Sequence, residues 1–162
     1  MSKRYMLNHN LLVITVPQGQ DTASCRVPQG VWTEFYTGKE YIGGSLTVEK
    51  APGSDIIILV RENSVIIKEA DGNTGCELIV YALCNGIRVD ADVYGEAGEP
   101  ELCVSFKRNG HSIHIASDGE KPYTVRMVNM YAKSAANGLV VIDGNDSVVT
   151  PDEGACTMEL IF

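Results

Sequence analysis

Two aspartates, Asp90 and Asp92, have the residue type and the spacing that could support hydrolysis of a glycosidic bond. Glycosidases place two carboxyl groups about 5 to 10 Å apart across the bond that breaks. The aspartates alternate with apolar residues in the segment "IRVDADVYG", so both would lie on one face of a β-strand. Alternating charges are also what the solvent face of an antiparallel strand requires, and no partner group is in view. We therefore predict no catalytic residue in this chain.

The histidines and cysteines do not form a metal-binding or redox pattern. His111 and His114 flank an Asn-Gly pair, where exposure at a strand edge explains them. The cysteines include no CxxC pair and no histidine at the spacing of zinc ligands. They are Cys25, Cys76, Cys84, Cys103 and Cys156. The sequence also contains no P-loop and no GxSxG motif, so we predict no metal and no cofactor.

Aromatic residues concentrate in "PQGVWTEFYTGKEYIGG", residues 28–44, in a chain that has only one tryptophan. Trp32, Tyr36 and Tyr41 are candidate sugar-binding residues, because exposed aromatic rings often mark binding surfaces. In a strand, Trp32 and Tyr36 would share one face and Phe35 would lie on the other. We favour the interpretation that these rings pack within the fold and against a missing neighbour, with glycan binding as the alternative.

Charge and hydropathy exclude several classes of partner. The net charge of −8 argues against nucleic acid and against anionic membranes, since both require a basic face. No apolar run approaches the roughly 20 residues of a membrane helix, and the first residues lack a signal-peptide pattern. We expect a cytoplasmic protein that binds neither membrane nor nucleic acid.

Turn signals and alternating segments predict an all-β fold. Asn-Gly or Asp-Gly, the strongest short-range hairpin signals, occur at residues 71–72, 85–86, 109–110, 118–119, 137–138 and 143–144. "CELIVYALC" and "IRVDADVYG" alternate apolar with other residues on either side of Asn85-Gly86, and "ELCVSFK" and "SIHIAS" do so around Asn109-Gly110. No long stretch shows a helical apolar period. We predict two small antiparallel β-sandwich domains in tandem.

The polar, turn-rich segment "KEADGNTG", residues 68–75, predicts a domain boundary between two apolar runs. It divides the chain into domains of residues 1–68 and 69–162.

Three segments of the first domain resemble glycoside hydrolase family 31, at the point where the catalytic barrel ends and the proximal C-terminal β-domain begins. They are "YMLNHNLLVITV", "CRVPQGVWTEFYTGKEYIGG" and "IIILVRENSVI", and the resemblance covers residues 4–67. Asn8-His9 replaces the Gly-Asp that is usual in the family, and Asn63 stands where many members have glycine. Asparagine also tolerates a left-handed backbone conformation. Residues 76–130 are similar to the distal C-terminal β-domain, and "EKPYTVRMVNM" is similar to the α-xylosidase branch.

The resemblance implies a fold and a role for each domain. Residues 1–68 would be the proximal and 69–162 the distal C-terminal β-domain of an α-xylosidase-like or α-glucosidase-like enzyme. Family members hydrolyse α-glycosides with retention, using two aspartates of a (β/α)₈ barrel that needs about 200 to 250 residues. None of that barrel is in this chain, so no catalytic residue of the family can be assigned to any position here.

These observations predict a non-catalytic accessory segment that supports a catalytic barrel. The predicted partners are that barrel or a second copy of the chain, in a homo-oligomer held through Tyr5, Leu7, Leu11 and the rings around Trp32. The alternative is a stand-alone carbohydrate-binding β-sandwich module. A third possibility is association with a barrel carried on a separate chain.

Overall fold

A computed structural model describes residues 2–70 and 75–162. Those residues form strands and connections with no helix, so the predicted all-β class is confirmed. None of the described residues belongs to a helix that could cross a membrane. The chain separates into two compact units, Met1–Ser64 and Val65–Phe162, which we call the N-terminal unit and the C-terminal unit.

The N-terminal unit is built on one antiparallel sheet of five strands, in the order β1-β2-β5-β3-β4. The strands are β1 (Arg4–Leu7), β2 (Leu11–Thr15), β3 (Thr22–Glu34), β4 (Glu40–Glu49) and β5 (Ile56–Arg61). The long strands β3 and β4 shift register between Val27 and Val31. An irregularity of this kind bends the sheet and increases the local twist, because β3 has two more residues than β4 between the two pairs.

This bend encloses a core of apolar side chains from four strands. Its members alternate along each strand, as expected where only one face of a strand meets the core. They are Leu12, Ile14, Ala23, Val27, Trp32, Val48, Ile57 and Leu59.

The C-terminal unit contains two five-stranded sheets, in the orders β12-β15-β10-β9-β8 and β13-β14-β11-β7-β6. Its first strands are β6 (Ser64–Glu69), β7 (Cys76–Tyr81), β8 (Arg88–Tyr94), β9 (Pro100–Asn109) and β10 (Ser112–Gly119). The remaining strands are β11 (Tyr123–Met127), β12 (Ser134–Ala136), β13 (Gly138–Asp143), β14 (Asp146–Pro151) and β15 (Thr157–Ile161). Strands β7 and β11 are parallel, whereas the other pairs described for these sheets are antiparallel.

The core of the C-terminal unit draws on alternate residues of strands from both sheets, with Phe106 and Leu160 fully buried. Along β8 the apolar side chains Ala91 and Val93 are buried, whereas Asp90 and Asp92 are exposed. This is the alternation predicted from the sequence, and it arises because successive side chains point to opposite faces.

The predicted turns serve different purposes. Asn109-Gly110 and Asp143-Gly144 stand at tight hairpins, between β9 and β10 and between β13 and β14. The prediction of a hairpin at Asn85-Gly86 is wrong, since β7 and β8 lie in different sheets and the turn carries the chain from one to the other. The hairpin signals at Asp118-Gly119 and Asn137-Gly138 are wrong for the same reason, because β10 and β11, and likewise β12 and β13, lie in different sheets. The pair at residues 71–72 lies outside the described residues.

Three non-glycine residues of the N-terminal unit have a left-handed backbone. Asn8, His9 and Asn63 have φ angles of 49°, 61° and 58°. Asparagine tolerates this conformation because its short polar side chain bonds locally. The asparagine at position 63 therefore occupies a left-handed position that would also suit glycine.

Candidate functional site

The indole of Trp32 lies in the core of the N-terminal unit and is 0% exposed. Its Nε1 donates a hydrogen bond to the carbonyl oxygen of Pro28, at 2.9 Å. The guanidinium of Arg61, opposite Trp32 on β5, lies 4.8 Å from the ring centroid, within the range of a cation–π contact. Both the polar edge and one face of the indole therefore have partners inside the unit.

Gly43 allows strand β4 to pass close to Pro28, whose carbonyl accepts the hydrogen bond from Trp32. A Cβ atom at position 43 would collide with the carbonyl of Pro28. Trp32 and Gly43 therefore both pack against the carbonyl group of Pro28.

Glu34 closes the turn that carries the next two aromatic residues. Its side chain is 0% exposed, and its Oε2 accepts hydrogen bonds from the backbone N–H groups of Tyr36 (2.8 Å) and Thr37 (2.6 Å). The carbonyl of Glu34 accepts a further bond from Gly38 N, at 2.9 Å. Charge-assisted bonds of this kind are the strong ones, so the carboxylate fixes the turn.

The three predicted sugar-binding residues occupy different environments. Trp32 and Tyr41 are paired across β3 and β4, and Trp32 is buried. The Tyr41 hydroxyl accepts a hydrogen bond from Glu49 N at 3.3 Å. Tyr36 lies in the turn, is 55% exposed and meets Phe35 edge to face, with ring centroids 5.1 Å apart. The structure brings Trp32 and Tyr41 together but places Tyr36 apart from them in the turn, and glycan binding stays a prediction.

The aspartates considered for hydrolysis lie on the exposed face of β8. Asp90 Oδ1 accepts a hydrogen bond from Arg88 Nε at 3.0 Å. Asp92 is paired with Cys103 on β9, and its hydrogen bond to that thiol, followed by burial, raises the pKa of Cys103 to about 11. The thiol of Cys103 is therefore protonated and poorly nucleophilic at neutral pH.

Arg126 forms a charged cluster that the sequence did not reveal. Its guanidinium donates to Glu77 Oε1 (3.1 Å), Asp143 Oδ2 (3.0 Å) and Asp146 Oδ2 (3.1 Å). Arg126 lies on β11, and these carboxylates come from β7, β13 and β14, so no local spacing relates them. The hydrogen bonds to the carboxylates raise the pKa of Arg126 against the opposing effect of burial. The cluster ties four strands of one sheet together.

The remaining predicted groups are placed separately. His114 Nδ1 lies 2.9 Å from Glu159 Oε2 on the neighbouring strand, and the ring of His111 meets Phe162 at 6.4 Å between centroids. All five cysteines are free. Within residues 2–70 and 75–162, no group of three or more His, Cys, Asp or Glu residues is placed to hold a metal ion.

A cavity of about 540 Å³ opens in the C-terminal unit beside Tyr123. Cys76, Glu77 and Thr150 also line it. Burial is the main cause that raises the pKa of both Cys76 and Tyr123. Both groups are therefore neutral at physiological pH. The turn at residues 34–38 remains the best-defined candidate feature. Its geometry fixes the backbone of the turn and exposes the rings of Phe35 and Tyr36.

Comparison with known proteins matches each unit to the model of a C-terminal domain. Residues 1–66 match the model of the glycosyl hydrolase family 31 C-terminal domain. Residues 71–162 match the model of the alpha-xylosidase YicI C-terminal domain. Alpha-xylosidase XylQ of Lactiplantibacillus pentosus is 26% identical over a match that covers 72% of this chain and 16% of XylQ.

Solved structures give the same result at the level of the fold. A family 31 dextranase from Flavobacterium johnsoniae superposes with a TM-score of 0.77 at 16% identity, covering 98% of this chain and 26% of that one. A family 31 alpha-xylosidase from Xanthomonas citri gives a TM-score of 0.56 at 22% identity, covering 77% of this chain and 16% of that one. The chain therefore spans only a small part of the length of each of these relatives.

Proposed function

The chain belongs to the C-terminal domains of glycoside hydrolase family 31, in their α-xylosidase form, and on this premise we propose that it is a non-catalytic segment that supports a catalytic barrel. The barrel itself is not among these 162 residues. The enzyme that this segment serves would be a retaining α-glycosidase of α-xylosidase or α-glucosidase type.

The bonding of the aromatic segment is the observation that carries this proposal. The buried Trp32 bonds to Pro28 and contacts Arg61, and Glu34 Oε2 holds its own turn. Glu34 Oε1 and Arg61 Nε have no hydrogen-bond partner among the described residues, but both atoms are buried and neither is directed at open space. Binding and catalytic sites instead leave polar groups directed at open space, where a ligand can reach them. The most distinctive residues of the segment thus build the fold.

Strand β1 provides the surface on which the barrel would pack. It is an edge strand, and its side chains Tyr5, Met6 and Leu7 are all exposed, Tyr5 by 52%. Adjacent exposed apolar side chains of this kind are typical of interaction surfaces. We assign the barrel as their partner because the matched region of the relatives belongs to longer enzymes.

Complementation tests the proposal directly. XylQ would be truncated by the region that this chain matches, and the purified chain would be added to the remaining fragment. We expect the chain to raise the melting temperature and the α-xylosidase activity of the fragment. The substitution Leu7→Asp should reduce both effects, whereas Tyr94→Asp, at an exposed tyrosine of the C-terminal unit, should not. An unaided fragment that is as stable and active as the mixture would contradict a supporting role.

The chain alone should not hydrolyse p-nitrophenyl α-xyloside or α-glucoside. Hydrolysis that survives repurification and is abolished by Asp90→Asn or Asp92→Asn would overturn the proposal. Activity that those variants leave unchanged would come from a contaminant.

A glycan-binding module is the second candidate, favoured by the exposure of Tyr36 beside Phe35. Calorimetry with xylose- and glucose-containing oligosaccharides separates the two functions. Binding heat that is lost in Tyr36→Ala and retained in Tyr94→Ala would support the module. The supporting role expects only the heat of dilution.

Three further expectations concern self-association, a separate barrel and location in the cell. Self-association through β1 would cover the apolar side chains where no barrel is present. Association with a barrel on a separate chain would be seen as co-purification of the two products. Cytoplasmic location would be checked by cell fractionation.

A further inference from the structure

Strand β13 is an edge strand that lacks the usual protection against pairing with another chain. It ends the sheet β13-β14-β11-β7-β6, and three of its aliphatic side chains, Leu139, Val141 and Ile142, are 63%, 55% and 49% exposed. Its one charged residue, Asp143, stands at the end of the strand and is held by Arg126 Nη2 at 3.0 Å. Natural proteins avoid long apolar edges, because the unpaired backbone groups act as a template for another strand.

The other edge strands of the described sheets differ from β13 in their length or in their charged residues. Strands β1 and β12 are four and three residues long. Strand β8 bears alternating charges, β4 begins and ends with glutamate, and β6 ends in Lys68 and Glu69. Short strands and charged side chains both discourage pairing at an edge. Strand β13 combines a length of six residues, a charge at one end only and three exposed aliphatic side chains.

The hairpin fixes which backbone groups of β13 point outward. The two-residue turn makes Asp143 and Asp146 the closing hydrogen-bonded pair, and bonding alternates along the ladder from there. Asp152 N donates to Asn137 O at 2.9 Å, which agrees with this alternation. The N–H and C=O groups of Val140 and Ile142 therefore face away from β14, and they have no partner among the described residues.

We propose that β13 pairs antiparallel with β13 of a second copy, forming a two-fold dimer with a continuous ten-stranded sheet. An axis through Val140 pairs Val140 with itself and Leu139 with Val141 of the second copy. This register buries aliphatic side chains against each other on the exposed face. The alternative centre at Val141 would set Asp143 opposite Leu139, which places a charge against an apolar side chain.

Light scattering and sedimentation over a dilution series test the dimer, starting from the 17.5 kDa mass of one chain. Val140→Pro removes the backbone N–H group at the two-fold axis. Val141→Lys places a charged side chain opposite Leu139 of the second copy and near the equivalent lysine of that copy. We expect each to raise the dimer dissociation constant about tenfold or more, since each loses at least one net hydrogen-bond or apolar contribution at both symmetric positions. Tyr94→Lys, at an exposed tyrosine of β8 in the other sheet, is the control and should leave the constant nearly unchanged.

The register is tested by cross-linking in a background where the exposed Cys103 and Cys156 are changed to serine. Leu139→Cys and Val141→Cys proteins would be mixed and oxidised. Opposite residues at a non-hydrogen-bonded site lie about 4.5 Å apart between Cα atoms, within the range of a disulfide. We expect the mixed disulfide to exceed both homodimers.

Several results would overturn the proposal. A monomer at every concentration would do so, as would a dimer that Val141→Lys leaves intact. A dimer lost in Leu7→Asp but kept in Val141→Lys would place the contact on β1 instead. Val141 is exposed, so this variant should fold, and circular dichroism would check that it does.

Discussion

Replacing Trp32 should destabilise the N-terminal unit strongly, because the indole is fully buried. Removing a buried tryptophan or phenylalanine side chain to alanine costs about 3–5 kcal/mol, and Trp32 also loses its bond to Pro28 and its contact with Arg61. Trp32→Phe keeps most of the ring but leaves the Pro28 carbonyl without its donor, which costs about 1–3 kcal/mol. Tyr36→Ala, at an exposed ring, should cost less than about 1 kcal/mol.

Urea unfolding provides the measurement. Trp32 is the chain's one tryptophan, so its fluorescence in the parent protein identifies the transition that belongs to the N-terminal unit. A buried indole should emit at shorter wavelength than the unfolded chain. Circular dichroism then follows the same transition in the variants. A loss below about 1 kcal/mol in Trp32→Ala, or parent emission that does not change on unfolding, would refute the assignment of this ring to the core.

Three other outcomes follow from the structure. Phe106→Ala should lower the unfolding free energy of the C-terminal unit by about 3–5 kcal/mol, measured in urea. Gly43→Ala should push away the Pro28 carbonyl and lower the melting temperature, and an unchanged melting temperature would contradict this packing. Cys103 should react slowly with iodoacetamide at pH 8, because its pKa is raised to about 11 and only the thiolate reacts; Asp92→Asn should lower that pKa and speed the reaction, as followed by peptide mass spectrometry.

The all-β class could be predicted because side-chain period and turn residues are local properties. In β8, alternation alone separates the buried Ala91 and Val93 from the exposed Asp90 and Asp92. The Asn109-Gly110 hairpin is also local, because its turn and both strands are contiguous. The hairpin predicted at Asn85-Gly86 is wrong because the same dipeptide can join strands of one sheet or of two sheets. Only the tertiary fold decides between these outcomes.

The sequence by itself determined the strand content, the alternating faces and, through the segments around Trp32, the family. The tertiary structure decided which groups are satisfied and which are exposed. It buried Trp32 beneath Arg61, turned the Glu34 carboxylate onto its own turn, and left β13 at an open edge. Such outcomes depend on contacts between residues far apart in the chain, and a local pattern carries no record of which strand will lie beside another.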